Sequence, residues 1–270
     1  MDENRNSNIS SEHSEELLNI IENFRLMDDT FMSKVFEDKA CAELLLRVIL
    51  NRNDLTVVRV VSQFELKNLQ GRSARLDIYA VDEHGKKYDG AAPRRARYNS
   101  SLLDANLLNP GDKFDELPES YIIFITEHDV LKGGKPLYTV NRTISELDHA
   151  IFTDGSHIIY VNGEIRNGTA LGELMQDFFC KDPREMHYKV LSDRAGYFKK
   201  DKEGVYTMCK LVEDYSEKRA RQAAELASNE RAVRMANNLW NKGERDLQQI
   251  ADLTDLPLDE VKKLFEGKTA

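Results

Sequence analysis

Arg72-Ser-Ala-Arg-Leu-Asp-Ile-Tyr-Ala-Val81, then Asp82-Glu-His-Gly85, then Lys86-Lys-Tyr-Asp89 and Gly90-Ala-Ala-Pro93, is the stretch on which the reading of this chain turns. Arg75–Val81 has the composition of a strand and carries one acid, Asp77, between Leu76 and Ile78. Asp82-Glu-His-Gly85 is turn-forming and Lys86–Asp89 predicts a return strand, so the segment reads as a hairpin. A divalent ion such as Mg²⁺ wants oxygen ligands. An acid on one strand and acids two residues apart on its partner provide them, because a period of two puts alternate side chains on one face. Here the first strand supplies Asp77, and the second supplies Asp89 and then stops at Gly90. Each acid has two readings. An acid among apolar neighbours is costly unless a metal or partner offsets it, yet Asp77 also fits the solvated face of a half-exposed strand. Asp89 has the parity to share an ion with Asp77, and it also fits the cap of the helix that Pro93 opens.

Outward from the hairpin, the chain alternates helices and strands. In Thr30–Leu50, Phe31, Val35, Phe36, Leu44, Leu45, Val48 and Ile49 recur at three- and four-residue steps, which predicts a core-facing helix with a break near Glu37-Asp38. Leu55–Leu66 is valine-rich and alternates as a strand. Pro93 to about Ala105 predicts a helix that Asn109-Pro-Gly-Asp112 ends. Tyr121-Ile-Ile-Phe-Ile-Thr126 is a near-continuous apolar run, the mark of a strand buried on both faces. Pro136–Val140 and Ser156–Val161 predict further strands, with Asn162-Gly163 a turn, and Thr169–Phe179 an amphipathic helix. This order predicts an α/β fold with a mixed sheet flanked by helices, not a doubly wound nucleotide fold.

Three regions follow: a polar segment over 1–24, a globular domain over 25–200 and a helical extension over 201–270. Glu213–Asn238 is charged and alanine-rich, which predicts a solvated helix or coiled-coil-like arm, and Gly243 breaks it. Asp246–Phe265 predicts two short helices around Thr254–Pro257, arranged like a helix-turn-helix. Asp246, Asp252, Asp255, Asp259, Glu260 and Glu266 outweigh Lys262 and Lys263 there, which argues for a structural or partner-binding role over major-groove reading. A homo-oligomer formed through this extension is a further expectation.

The chain of 270 residues is 41% hydrophobic and 31% charged, enough for one core and a small appendage. A net charge of -9 argues against general nucleic-acid glue, since phosphates repel it, but allows a basic face. Cys41, Cys180 and Cys209 lie far apart without a CxxC, and His84, His128, His149 and His157 lack zinc spacing. Gly133-Gly134 has no following Gly-Lys-Ser or Gly-Lys-Thr, so it is a turn and not a phosphate loop, and Trp240 reads as packing. The polar start is not a signal peptide, and no run approaches the roughly 18 apolar residues a bilayer span needs. The expectation is a soluble, cytoplasmic protein without a membrane partner. Arg94, Arg95 and Arg97, with Tyr98 beside them, form the densest basic patch, on the helix that follows Asp89. They fit either phosphate contact or a solvated helix face.

Five segments in order carry a resemblance: Leu26-Met-Asp-Asp-Thr-Phe-Met-Ser-Lys-Val-Phe36, Arg75-Leu-Asp-Ile78, Arg94-Arg-Ala-Arg-Tyr-Asn-Ser-Ser-Leu-Leu103, Tyr121-Ile-Ile-Phe-Ile-Thr-Glu127 and Gly155-Ser-His-Ile-Ile-Tyr-Val-Asn-Gly163. Together, over about Leu26 to Phe198, they resemble the PD-(D/E)XK nuclease family transposases, the recombination-promoting nucleases. The resemblance implies a restriction-endonuclease-like core, Mg²⁺, DNA as partner and phosphodiester hydrolysis linked to transposition or recombination. Asp77 matches the family's first metal-binding acid, and Asp28 and Asp29 match acids of its first helix, where they also fit helix capping. The family's second strand ends in Glu-x-Gln or Glu-x-Lys after an aromatic and an Asn or Asp. Tyr88-Asp89 supplies the latter pair, and the Glu and Gln have no counterpart, as though on the order of eight residues, one ordinary strand, were deleted. Asp89 is the best substitute ligand, and Lys86 and Lys87 stand on the wrong part of the strand. The expectation is an endonuclease of impaired activity. The alternative is a catalytically inactive remnant that binds DNA or protein.

Overall fold

The computed structural model describes residues 14–66, 74–82, 87–89, 93–108 and 111–266, with side chains described at 14–61, 96–108 and 111–266. The predicted turn at 83–86, the junction at 90–92, residues 109–110 and the first 13 residues lie outside that range. The chain divides into two compact units, Met1–Cys209 and Lys210–Ala270.

In chain order the first unit has helix α1 (14–23), α2 (Asp29–Val35), α3 (Lys39–Leu50), strands β1 (Val57–Leu66), β2 (Ala74–Asp82) and β3 (Lys87–Asp89), and α4 (Pro93–Leu107). Then come β4 (Ser120–Thr126), β5 (Leu137–Val140), β6 (Thr143–Ile144), β7 (Ala150–Ile151), β8 (Ser156–Asn162), α5 (Ala170–Phe179) and α6 (Lys189–Lys200). The 40-residue helix α7 (Lys202–Asn241) runs on into the second unit, which ends with α8 (Leu247–Thr254) and α9 (Leu258–Phe265).

The main sheet has the order β1-β2-β3-β4-β8-β5. β1, β2 and β3 pair antiparallel, β3, β4 and β8 pair parallel, and β5 returns antiparallel on β8, so the fold is α/β with a mixed sheet. β6 and β7 form a separate small hairpin that the sequence pattern does not reveal. Ile122, Phe124 and Tyr160 pack with Ala96, Leu102 and Leu103 of α4, so α4 covers that face of the sheet. Ile123, Ile159 and Val161, which alternate with them, are also buried, as an apolar run implies.

Local chemistry explains the boundaries. The predicted break near Asp38 is an N-cap: its carboxylate accepts from Ala40 N at 2.9 Å and Cys41 N at 3.1 Å and starts α3. Thr169 caps α5 in the same way through Gly172 N at 3.1 Å. After β8, the Gly163 N–H donates to Thr126 O at 2.8 Å, and a Cβ at 163 would meet that oxygen at 2.7 Å and the Phe179 ring at 2.8 Å. Only glycine fits this crossing. Leu17 and Ile21 of α1 are buried, so the polar-looking start of the chain contributes to the core. Lys199 is buried as well, and its ammonium donates to the carbonyls of Glu22, Phe24 and Lys181 beneath the Phe31 ring. Burial pushes its pKa down to about 8.

In the second unit Trp240 stacks on Phe265 with centroids 4.3 Å apart, closing a core with Ala236, Ile250, Leu256 and Val261. Asp246 caps α8 through Gln248 N and Gln249 N. Gly243, with φ of 103°, lets the chain leave α7.

Candidate metal and nucleic-acid site

Strand register places the two acids. Ala80 pairs with Tyr88 and Val81 with Lys87. Continuing that antiparallel ladder sets position 89 opposite Tyr79, one pleat repeat along β2 from position 77. Position 89 also pairs with Ile122, which is buried under α4. Val61, the partner of Tyr79, packs against the same cluster. Positions 77 and 89 therefore lie on the sheet face that α4 covers, as diagonal neighbours on adjacent strands. The pleat sets such neighbours roughly 7–8 Å apart. The described part of β3 ends at Asp89 while β2 extends back to Ala74, so position 77 lies past the described pairing of the two strands. The side chains of Asp77, Asp89, Arg94 and Arg95 fall outside the described residues.

α4 begins four residues after Asp89. Ala96 is buried against the sheet, while Arg97 and Tyr98 are exposed. Position 94 is three residues before Arg97 and shares its helix face. The side of α4 towards the sheet is polar at 99–100. Asn99 and Ser100 are buried, Ser100 Oγ lies 2.9 Å from Ser156 Oγ of β8, and Ser120 of β4 is buried on the same face. Further along α4, burial raises the Asp104 pKa, the nearby Arg142 pulls it down, and Asp154, ion-paired with Arg142, pushes it up. Sequence reasoning missed this polar row. Its only trace is Asn99-Ser100-Ser101 inside a helix, a run that also fits an exposed face.

The other candidates have other partners. Asp28 stands at the N-cap position of α2 without capping it; Oδ2 accepts from Arg25 N at 2.7 Å and Oδ1 faces the Arg25 guanidinium, which also reaches Glu127 at 3.2 Å. The carboxylate turns back to Arg25, whose backbone N–H is the closer partner, so capping by Asp28 is corrected. Asp29 is the first residue of α2. His157 stacks on Tyr121 and meets Glu119 at 3.2 Å, and His128 meets Glu164 at 3.1 Å. Among the described residues no group of three or more His, Cys, Asp or Glu could hold a metal ion. Burial and the Asp38 carboxylate push the Cys41 thiol up to about 12, which leaves it without nucleophilic character near neutrality. Asp77 and Asp89 are a donor set of carboxylate oxygens and fit Mg²⁺ in kind, with water completing its shell.

Comparison with protein families, with curated proteins and with solved structures returned no match. Among the described residues no helix is long and apolar enough to cross a membrane.

Proposed function

We propose that the chain is a DNA endonuclease of the PD-(D/E)XK transposase kind whose metal site is cut back to two acids, so that it holds DNA and cleaves it poorly. The observation that supports this reading is the register: positions 77 and 89 share one sheet face on adjacent strands, at the foot of the basic helix α4. Asp77 and Asp89 would hold Mg²⁺. An ion held there would supply water activation and charge neutralisation at the scissile phosphate. Arg94, Arg95 and Arg97 would contact phosphates and fix the duplex on α4 without reading bases. An impaired activity would follow from the sequence between Asp89 and α4: the family's Glu and Gln belong on a continuation of this strand, and Pro93 opens α4 four residues after Asp89.

DNA retention tests the binding half of the proposal. A labelled duplex should be retained by the full chain at low salt, with affinity falling steeply as salt rises. Duplex that is never retained, in the presence or absence of Mg²⁺, would overturn the reading.

A further inference from the structure

The second unit contains a groove of about 530 Å³ that the metal and nucleic-acid reading does not use. One wall is α7 from Glu225 to Met235, and the other is the α8–α9 turn from Leu253 to Pro257, with Glu260 beyond it. Met235 and Leu253 line the groove and remain 46% and 49% exposed, while Ala236 and Leu256 beside them are buried in the unit's core. Apolar surface at the mouth of a groove gains free energy when a partner covers it.

The charges around the groove select the partner. Glu225 and Arg231 stand three residues either side of Ser228. If two α7 helices lie antiparallel with Ser228 opposite Ser228, Glu225 of each copy falls opposite Arg231 of the other. The same register brings Arg221 of each copy opposite position 235 of the other. The facing wall of the groove also carries Asp255 and Glu260. A two-fold interface demands this self-complementarity, with residue i meeting j and j meeting i. A basic peptide would meet Arg231 as a like charge, and an acidic ligand would meet Glu225, Asp255 and Glu260.

We propose that a second copy of this chain fills the groove, its α7 antiparallel to the first about a two-fold axis at Ser228. Light scattering on the full chain during size-exclusion chromatography tests it. The wild type should show a concentration-dependent dimer. Glu225→Arg and Arg231→Glu should each lose the dimer, because each places two like-charged pairs across the axis. Mixing the two variants should restore a dimer, since the arginine introduced in one then meets the glutamate introduced in the other. Both positions are on α7 beside the groove, and an unchanged helical circular dichroism signal would show that the fold survives. A wild type that stays monomeric at its highest soluble concentration, a dimer that Arg231→Glu leaves intact, or a mixture that stays monomeric would each overturn the proposal.

Discussion

At the scale of single residues, Lys199 shows how a charge is held in the core of the first unit. Its ammonium serves the carbonyl of Glu22 in the last turn of α1 and those of Phe24 and Lys181, just past the ends of α1 and α5. Lys199→Met leaves those acceptors without a donor and should cost about 2 kcal/mol in denaturant unfolding. The pH dependence has a definite sign. The folded pKa of about 8 lies below the ordinary 10.5, so the unfolded chain binds more protons between those values. The contribution of this group to stability therefore rises as pH climbs through that window. The wild-type midpoint should gain on that of Lys199→Met between pH 8 and pH 10; an equal drift of the two would contradict the assignment. The two acids of the candidate site make a second prediction at this scale. With few ligands available, calorimetry should show weak Mg²⁺ binding by the wild type, and Asp77→Ala should reduce it by at least ~10-fold, since even supporting groups around a metal are worth that much.

At the scale of elements, the decisive pair is β3 and α4. β3 has three described residues between a β2 of nine and a β4 of seven, and α4 starts four residues after Asp89. This ordering was legible in the sequence because strand period, turn residues and Pro93 are local signals. The break before α3 was legible for the same reason, and Asp38→Ala should cost about 1 kcal/mol of stability through the missing cap. What was not legible depends on tertiary packing. The β6–β7 hairpin has only two residues per strand, too few for a period to show. Asn99 and Ser100 look like solvated helix residues until the sheet is placed beneath them. Asp28 occupies a capping position, and nothing in the local sequence says that Arg25 claims its carboxylate. An Arg94→Ala, Arg95→Ala, Arg97→Ala variant should bind duplex at least ~10-fold more weakly, with the slope of log affinity against log salt falling by about one for each phosphate no longer neutralised. An unchanged slope would remove α4 from the interface.

At the scale of the whole molecule, the two units divide the work that the sequence suggests. The first unit is an α/β domain whose sheet brings two acids and a basic helix to one region. The second is helical, closed by the Trp240–Phe265 stack, and acidic on the α8–α9 side, which suits a protein partner better than a phosphate backbone. The proposed antiparallel pairing of α7 would join two copies through that unit and supply two first units per assembly. On the proposed function the metal site survives in reduced form. The most direct test is nicking of supercoiled plasmid by the full chain in Mg²⁺, wild type beside Asp77→Ala. The wild type should slowly nick the DNA it retains, and Asp77→Ala should not nick it. Rapid, complete cutting by the wild type, or nicking that persists unchanged in Asp77→Ala, would contradict the proposed function.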